Sequence, residues 1–146
     1  MIYLLRHGTA EHGDGDDAAR RLTADGERES VAAGQAMAKL GLNVDACLTS
    51  PKVRAADTAR LACEALGVEP EVQGELAGSG FDTTALATGR GDVLLVGHNP
   101  DFTTEVGRLT GATAKLRKGG LAVIEGGVLL ALLRPEDLAA IAASTG

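Results

Sequence analysis

The chain has no tryptophan, one tyrosine and two phenylalanines among its 146 residues. With so few rings the core has to be built from Leu, Val, Ile and Ala, and little is left to stack on bases or sugars. Positive charge is scarce as well: 14 Lys and Arg stand against 20 Asp and Glu, a net charge of −6. That balance argues against a general polyanion-binding surface, so no nucleic-acid partner is expected, and any phosphate site has to be a local concentration of cations. The two cysteines, Cys47 and Cys63, form neither a CxxC pair nor a disulfide framework; each sits in an apolar segment and reads as a buried free thiol. No apolar run approaches a membrane span, and Met1 to Leu5 lead into a polar loop without a basic segment or signal-peptide core. The expectation is a cytoplasmic protein with no membrane association.

What is present is an alternation of short apolar runs with longer helical periodicity, the pattern of an α/β domain spanning residues 1–146 without repeat or linker. Ile2 to Leu5 reads as a buried strand, followed by a polar loop from Gly8 to about Arg20. Thr23 is placed to cap a helix with Asp25 and Glu27 in its first turn, running to Leu40 and stopping at Gly41. A strand covers Ala46 to Thr49. Ser50 and Pro51 read as a cap and first helical residue, opening a helix that ends before Gly67. Val68 to Val72 reads as an edge strand because of Pro70, and Thr83 to Thr88 as a weak helix. Val93 to Val96, a continuous apolar run, is the best candidate for a central strand. Asn99 and Pro100 repeat the cap-and-proline device ahead of a helix reaching Leu109. Leu121 to Ile124 and Val128 to Leu133 form a hairpin through Gly126 and Gly127, and Pro135 to Ala143 a closing helix. Asp14, Asp16 and Asp17 lack the ligand spacing of a calcium loop and read as a solvated loop.

Three strand ends carry unusual residues. The first closes in Arg6-His7-Gly8, the second in Ser50-Pro51 with Arg54 shortly after, and the central one in Gly97-His98-Asn99-Pro100. In open α/β sheets ligands bind beyond the carboxyl ends of the strands, so parallel neighbours would gather two arginines and two histidines in one crevice. A neutral imidazole is a competent nucleophile toward phosphorus, and guanidinium forks match phosphate oxygens. Gly8 would let the backbone approach a ligand, and the two helix starts would add positive dipole ends. His12 has no such context. No P-loop, thiol-phosphatase loop, HExxH or compact His/Asp cluster occurs, so neither metal nor cofactor is expected.

These residues resemble the histidine phosphatase superfamily, whose signature RHG ends the first strand, here within Leu4-Leu5-Arg6-His7-Gly8-Thr9-Ala10. The match continues through Leu22-Thr23 and Gly26, through Ser50-Pro51 with Arg54-Ala55, Thr58 and Ala59, and closes with Gly97-His98-Asn99-Pro100. The short chain without a large helical insertion is similar to the SixA-type phosphohistidine phosphatases of that superfamily. The resemblance implies a three-layer α/β/α sandwich around a mostly parallel sheet, as in phosphoglycerate mutases. It implies that His7 is phosphorylated while Arg6, Arg54 and His98 hold the phosphoryl group, and that Arg20 lies where the subgroup has an arginine near substrate. Larger members protonate an alcohol leaving group with a carboxylate; Glu75 falls there in one register and Gly78 in another, and the SixA-type subgroup lacks that acid.

The function expected is metal-independent hydrolysis of a phosphoryl group by a monomer, from a phosphohistidine-containing protein or a small phosphorylated substrate. The alternatives are a phosphatase for small phosphate esters and a non-catalytic phosphate-binding domain.

Overall fold

The computed structural model describes residues 1–13 and 15–145. In chain order come β1 (Ile2–Arg6), α1 (Ala24–Lys39), β2 (Ala46–Thr49), α2 (Val53–Leu66), β3 (Pro70–Val72), α3 (Thr83–Ala87), β4 (Val93–Gly97), α4 (Asp101–Thr110), β5 (Leu121–Glu125), β6 (Val128–Leu133) and α5 (Pro135–Ala143). Short 3-10 turns occupy Asp17–Ala19 and Gly74–Ala77. The strands form one sheet in the order β3-β2-β4-β1-β5-β6. The first four are parallel to one another, and β5 and β6 run antiparallel.

Alternation along the strands sorts the core into two layers, because successive side chains leave opposite faces of a sheet. Tyr3, Leu5, Cys47, Leu94, Val96 and Leu121 pack under α1, α2 and α5, which contribute Ala33, Met37, Ala59 and Leu138. Leu4, Leu48, Val93 and Leu95 face the other way, against Leu76, Leu86, Phe102 and Val106. This is the three-layer arrangement of the phosphoglycerate mutase-like fold, with β4 buried at every residue in its centre. Alanine lets the helices lie close. A Cβ at Gly34 of α1 would stand 2.1 Å from the carbonyl oxygen of Ala62 in α2, so that contact is glycine-only.

Local sequence explains most boundaries. The Thr23 hydroxyl accepts from Gly26 N at 3.0 Å and caps α1, and Gly67, at φ 69°, ends α2 by donating to Cys63 O. Gly126 and Gly127 both have positive φ, as the tight β5–β6 turn demands. Two expectations are corrected. Ser50-Pro51 does not cap α2, which begins at Val53 after Lys52, and Asn99-Pro100 does not cap α4 through its side chain, since α4 begins at Asp101 after Pro100. In both cases the polar side chain is spent elsewhere: Ser50 Oγ lies 2.8 Å from His98 Nε2, and Asn99 Nδ2 donates to Leu116 O.

The α1–α2 contact yields a stability prediction. Gly34→Ala should destabilise the protein by about 2 kcal/mol or more, because backbone on both helices must move to admit the methyl group. Gly74→Ala, where a Cβ meets nothing within 4 Å, should change stability by less than about 0.5 kcal/mol. Urea denaturation of the two variants measures both, and equal midpoints would refute the close approach.

Candidate active site

The parallel register sets the site. Arg6 pairs with Gly97 at the end of β1 and β4, His7 N donates to Gly97 O at 3.0 Å, and Ser50 N donates to Val96 O at 3.0 Å. His7, His98 and Ser50 therefore leave adjacent strand ends side by side. The rings of His7 and His98 lie 5.2 Å apart, tilted by 53°. Both are buried, as is Arg54 in the first turn of α2.

Each group is fixed by a neighbour that limits what it can do. His7 Nδ1 lies 2.7 Å from Gly8 O; a carbonyl only accepts, so Nδ1 carries the proton and Nε2 keeps its lone pair. Ser50 Oγ accepts from Lys52 N at 3.2 Å and lies 2.8 Å from His98 Nε2, which ties the His98 ring to the turn after β2. Arg6 Nη1 and Asn99 Nδ2 both donate to Leu116 O, at 3.1 and 2.9 Å. The Thr58 hydroxyl, one turn beyond Arg54, donates to Arg54 O and accepts from Gly8 N, tying α2 to the loop after β1. Gly8 is needed for a different approach from the one its sequence suggests: a Cβ there would meet Gly26 O at 2.6 Å, so the residue seats the loop on α1.

Three buried nitrogens in this pocket, Arg6 Nε, Arg54 Nε and His98 Nδ1, have no hydrogen-bond partner. A bare buried donor costs about 1–3 kcal/mol, and an oxyanion supplies acceptors for the two guanidinium nitrogens. Burial pushes His7 down to about 4, helped by the charges of Arg54, Arg6 and Lys118 and opposed by the bond to Gly8 O. Burial likewise lowers His98 to about 3, with His7 and Arg54 next in weight. Both imidazoles are neutral at neutral pH, so the positive charge around them comes from Arg6, Arg54 and Lys118 beside His7 and from Arg54 and Lys52 beside His98. Among the described residues no group of three or more His, Cys, Asp or Glu is placed to hold a metal ion, and no helix is long and apolar enough to cross a membrane.

The four residues expected from the sequence, Arg6, His7, Arg54 and His98, thus share one pocket. Arg20 stands on its rim, donating to Asp17 Oδ1 and Glu11 O. Glu75 is exposed in the turn Gly74–Ala77 and makes no hydrogen bond or ion pair with the four. Cys47 and Cys63 are buried free thiols. Of the acidic loop, Asp14 lies outside the described residues and Asp16 caps the 3-10 turn.

Asp17 is a correction to the solvated-loop reading. Its carbonyl accepts from Arg54 Nη1 at 2.8 Å, and its Oδ2 from Arg54 Nη2 at 3.2 Å and Lys52 Nζ at 3.3 Å. Arg54, then Lys52, hold its carboxyl down to about 2. Sequence gave no signal for this contact, because Asp17 and Arg54 are 37 residues apart. Ser50, Thr58 and Asn99 were legible as motif positions, but their bonds were not.

Residues 2–88 match the family model of the histidine phosphatase superfamily, branch 1. The chain belongs to that superfamily. An uncharacterized protein of Picosynechococcus is 34% identical over 140 residues, 86% of this chain and 85% of that protein. Among solved structures, the SixA protein of Agrobacterium tumefaciens, provisionally assigned as a phosphohistidine phosphatase, superposes with a TM-score of 0.82 at 25% identity, covering 92% of this chain and 97% of its own. A phosphoserine phosphatase of Entamoeba histolytica, at 17% identity and TM-score 0.71 over 94% of this chain and 98% of its own, shares the fold.

For this histidine phosphatase the buried imidazoles make a prediction that needs no substrate. Depressed values mean that the neutral rings persist as pH falls, so the NMR signals of His7 and His98 should stay flat from about pH 8 to about 5.5 and move only toward pH 4. Titration of either ring near the ordinary value of about 6.5 would show the pocket to be wet.

Proposed function

We propose that this histidine phosphatase removes the phosphoryl group from phosphohistidine on a protein, through a covalent intermediate on His7. The observation that carries the reading is the pair of buried guanidinium nitrogens of Arg6 and Arg54 without a protein partner, beside a neutral imidazole whose tautomer leaves Nε2 free. A binding domain needs the donors but not an oriented nucleophile.

In this reading His7 Nε2 attacks phosphorus from the pocket floor, and the bond to the substrate nitrogen breaks with its electron pair leaving on that nitrogen. Water then attacks phosphorus, releasing phosphate and restoring His7. Arg6 and Arg54 neutralise charge on the phosphoryl oxygens throughout, and His98, its ring 5.2 Å from that of His7, stands beside the reacting group. The leaving group selects the substrate class. An alkoxide leaves poorly unless an acid protonates it, whereas imidazole departs neutral when its other nitrogen carries a proton. Glu75, exposed and unconnected to the pocket, supports a site without that acid, and the likeness to the SixA structure points the same way.

His7→Ala should abolish turnover and leave the circular dichroism spectrum unchanged, and mass spectrometry after rapid quenching should find phosphate on His7. Label on another residue only, or full activity of the variant, would remove the central claim. Arg6→Ala and Arg54→Ala should each lower kcat/KM about a hundredfold or more, about 3 kcal/mol of transition-state stabilisation; a twofold change in both would make them bystanders.

Substrate class is tested side by side. Phosphohistidine peptides should be cleaved far faster than sugar phosphates, with aryl phosphates between them, and Glu75→Gln should change the first little. Sugar phosphates as the best substrates, lost selectively in Glu75→Gln, would install the small-ester reading instead.

A further inference from the structure

Asp17 is the charged residue in the pocket mouth that the mechanism above leaves unused. It sits in an exposed 3-10 turn on the loop that returns from β1 to α1, and that loop closes back through Glu11 N to Arg21 O and Thr23 N to Thr9 O. His7 forms the floor, 5% exposed, whereas the Asp17 side chain is 58% exposed. In-line displacement places the leaving group opposite the attacking nitrogen. A nucleophile on the floor therefore sends the leaving group toward the solvent opening, where Asp17 is anchored beside Arg54.

The Asp17 carboxylate is held but not saturated. Oδ1 takes Arg20 Nε at 3.0 Å, and Oδ2 takes Arg54 Nη2 and Lys52 Nζ at 3.2 and 3.3 Å. An ionised carboxylate offers about four acceptor positions, so one stays open on a group that is more than half solvent-accessible. Three cations, Arg20 on the same loop and Lys52 and Arg54 at the start of α2, fix where that acceptor stands. The leaving oxygen of a phosphate ester carries no hydrogen-bond donor for it. Phosphohistidine does: the ring nitrogen not bonded to phosphorus carries an N–H in the form that leaves most readily.

We propose that Asp17 is a specificity-determining residue that accepts a hydrogen bond from the distal ring N–H of the phosphohistidine leaving group. The inference rests on the phosphohistidine reading above. The balance is simple. The N–H stays on the substrate ring, hydrogen-bonded to Asp17, while the P–N bond breaks and its electron pair returns to the other nitrogen, so a neutral imidazole departs and no proton moves during the step. The carboxylate stabilises the protonated ring and with it the better leaving group, which selects phosphohistidine over esters in a pocket without a general acid.

Asp17→Asn tests this, because the amide keeps the backbone carbonyl that accepts from Arg54 Nη1 and a side-chain oxygen for Nη2, while removing the negative charge. Steady-state kinetics of wild type, Asp17→Asn and Asp17→Glu are compared on a phosphohistidine peptide and on 4-nitrophenyl phosphate, whose leaving group has no N–H. The expected result is a loss of kcat on the peptide at least tenfold larger than the loss on the aryl phosphate, partly restored in Asp17→Glu. Equal losses on both substrates would show that Asp17 merely positions Arg54 and would overturn the proposal while leaving the phosphohistidine reading intact. Wild-type protein that cleaves 4-nitrophenyl phosphate but not the peptide would overturn the reading and the proposal together.

Discussion

The hydrogen bond from His7 N to Gly97 O is the last rung of the parallel ladder between β1 and β4, and the site depends on it. A parallel pair advances in step, so the first residues past the two strands stand at one level; with Ser50 held to Val96 on the other side of β4, three polar residues emerge abreast. Arg54 reaches the same level only because α2 starts three residues after Ser50. A slip of one residue in either pairing would turn His7 or His98 to the opposite face of the sheet and dismantle the pocket.

Burial then decides what those residues are. In water the two imidazoles would be partly protonated near neutrality and would share the role of cation with the arginines. In the pocket desolvation removes that option, lowering His7 to about 4 and His98 to about 3. On the proposed mechanism the permanently charged guanidiniums bind the phosphoryl group and the neutral His7 ring attacks it. The same burial leaves Arg6 Nε, Arg54 Nε and His98 Nδ1 bare. An incoming oxyanion would give Arg6 Nε and Arg54 Nε the acceptors that the protein does not supply.

The fold was largely legible in the sequence because its signals are local. β2 and α5 begin and end where residue pattern places them, Pro70 keeps β3 on an edge, and Gly126-Gly127 specifies the hairpin turn. The two errors concern Ser50 and Asn99, residue types that cap helices but here turn their polar atoms into the pocket. Local propensity lost to a tertiary partner in each case. The four pocket residues were legible because strand ends in an α/β sheet converge, which is a rule of topology. Asp17 was not, because its importance comes from Lys52 and Arg54 at the start of α2, which is distant in sequence, as well as from Arg20 of its own loop.

On the phosphohistidine reading proposed above, Asp17 and Glu75 together bear on which leaving groups the site would suit. A general acid for an ester must be protonated at working pH and near the leaving oxygen. Glu75 is carried on an exposed turn and has no bond to the pocket. Asp17 has the position, but Arg54 and Lys52 hold it at about 2, so at neutral pH it has no proton to give. The mouth therefore offers an acceptor where ester hydrolysis requires a donor. A leaving group that arrives with its own N–H reverses that demand, and the cations that disqualify Asp17 as an acid are those that keep it ionised and in place as an acceptor.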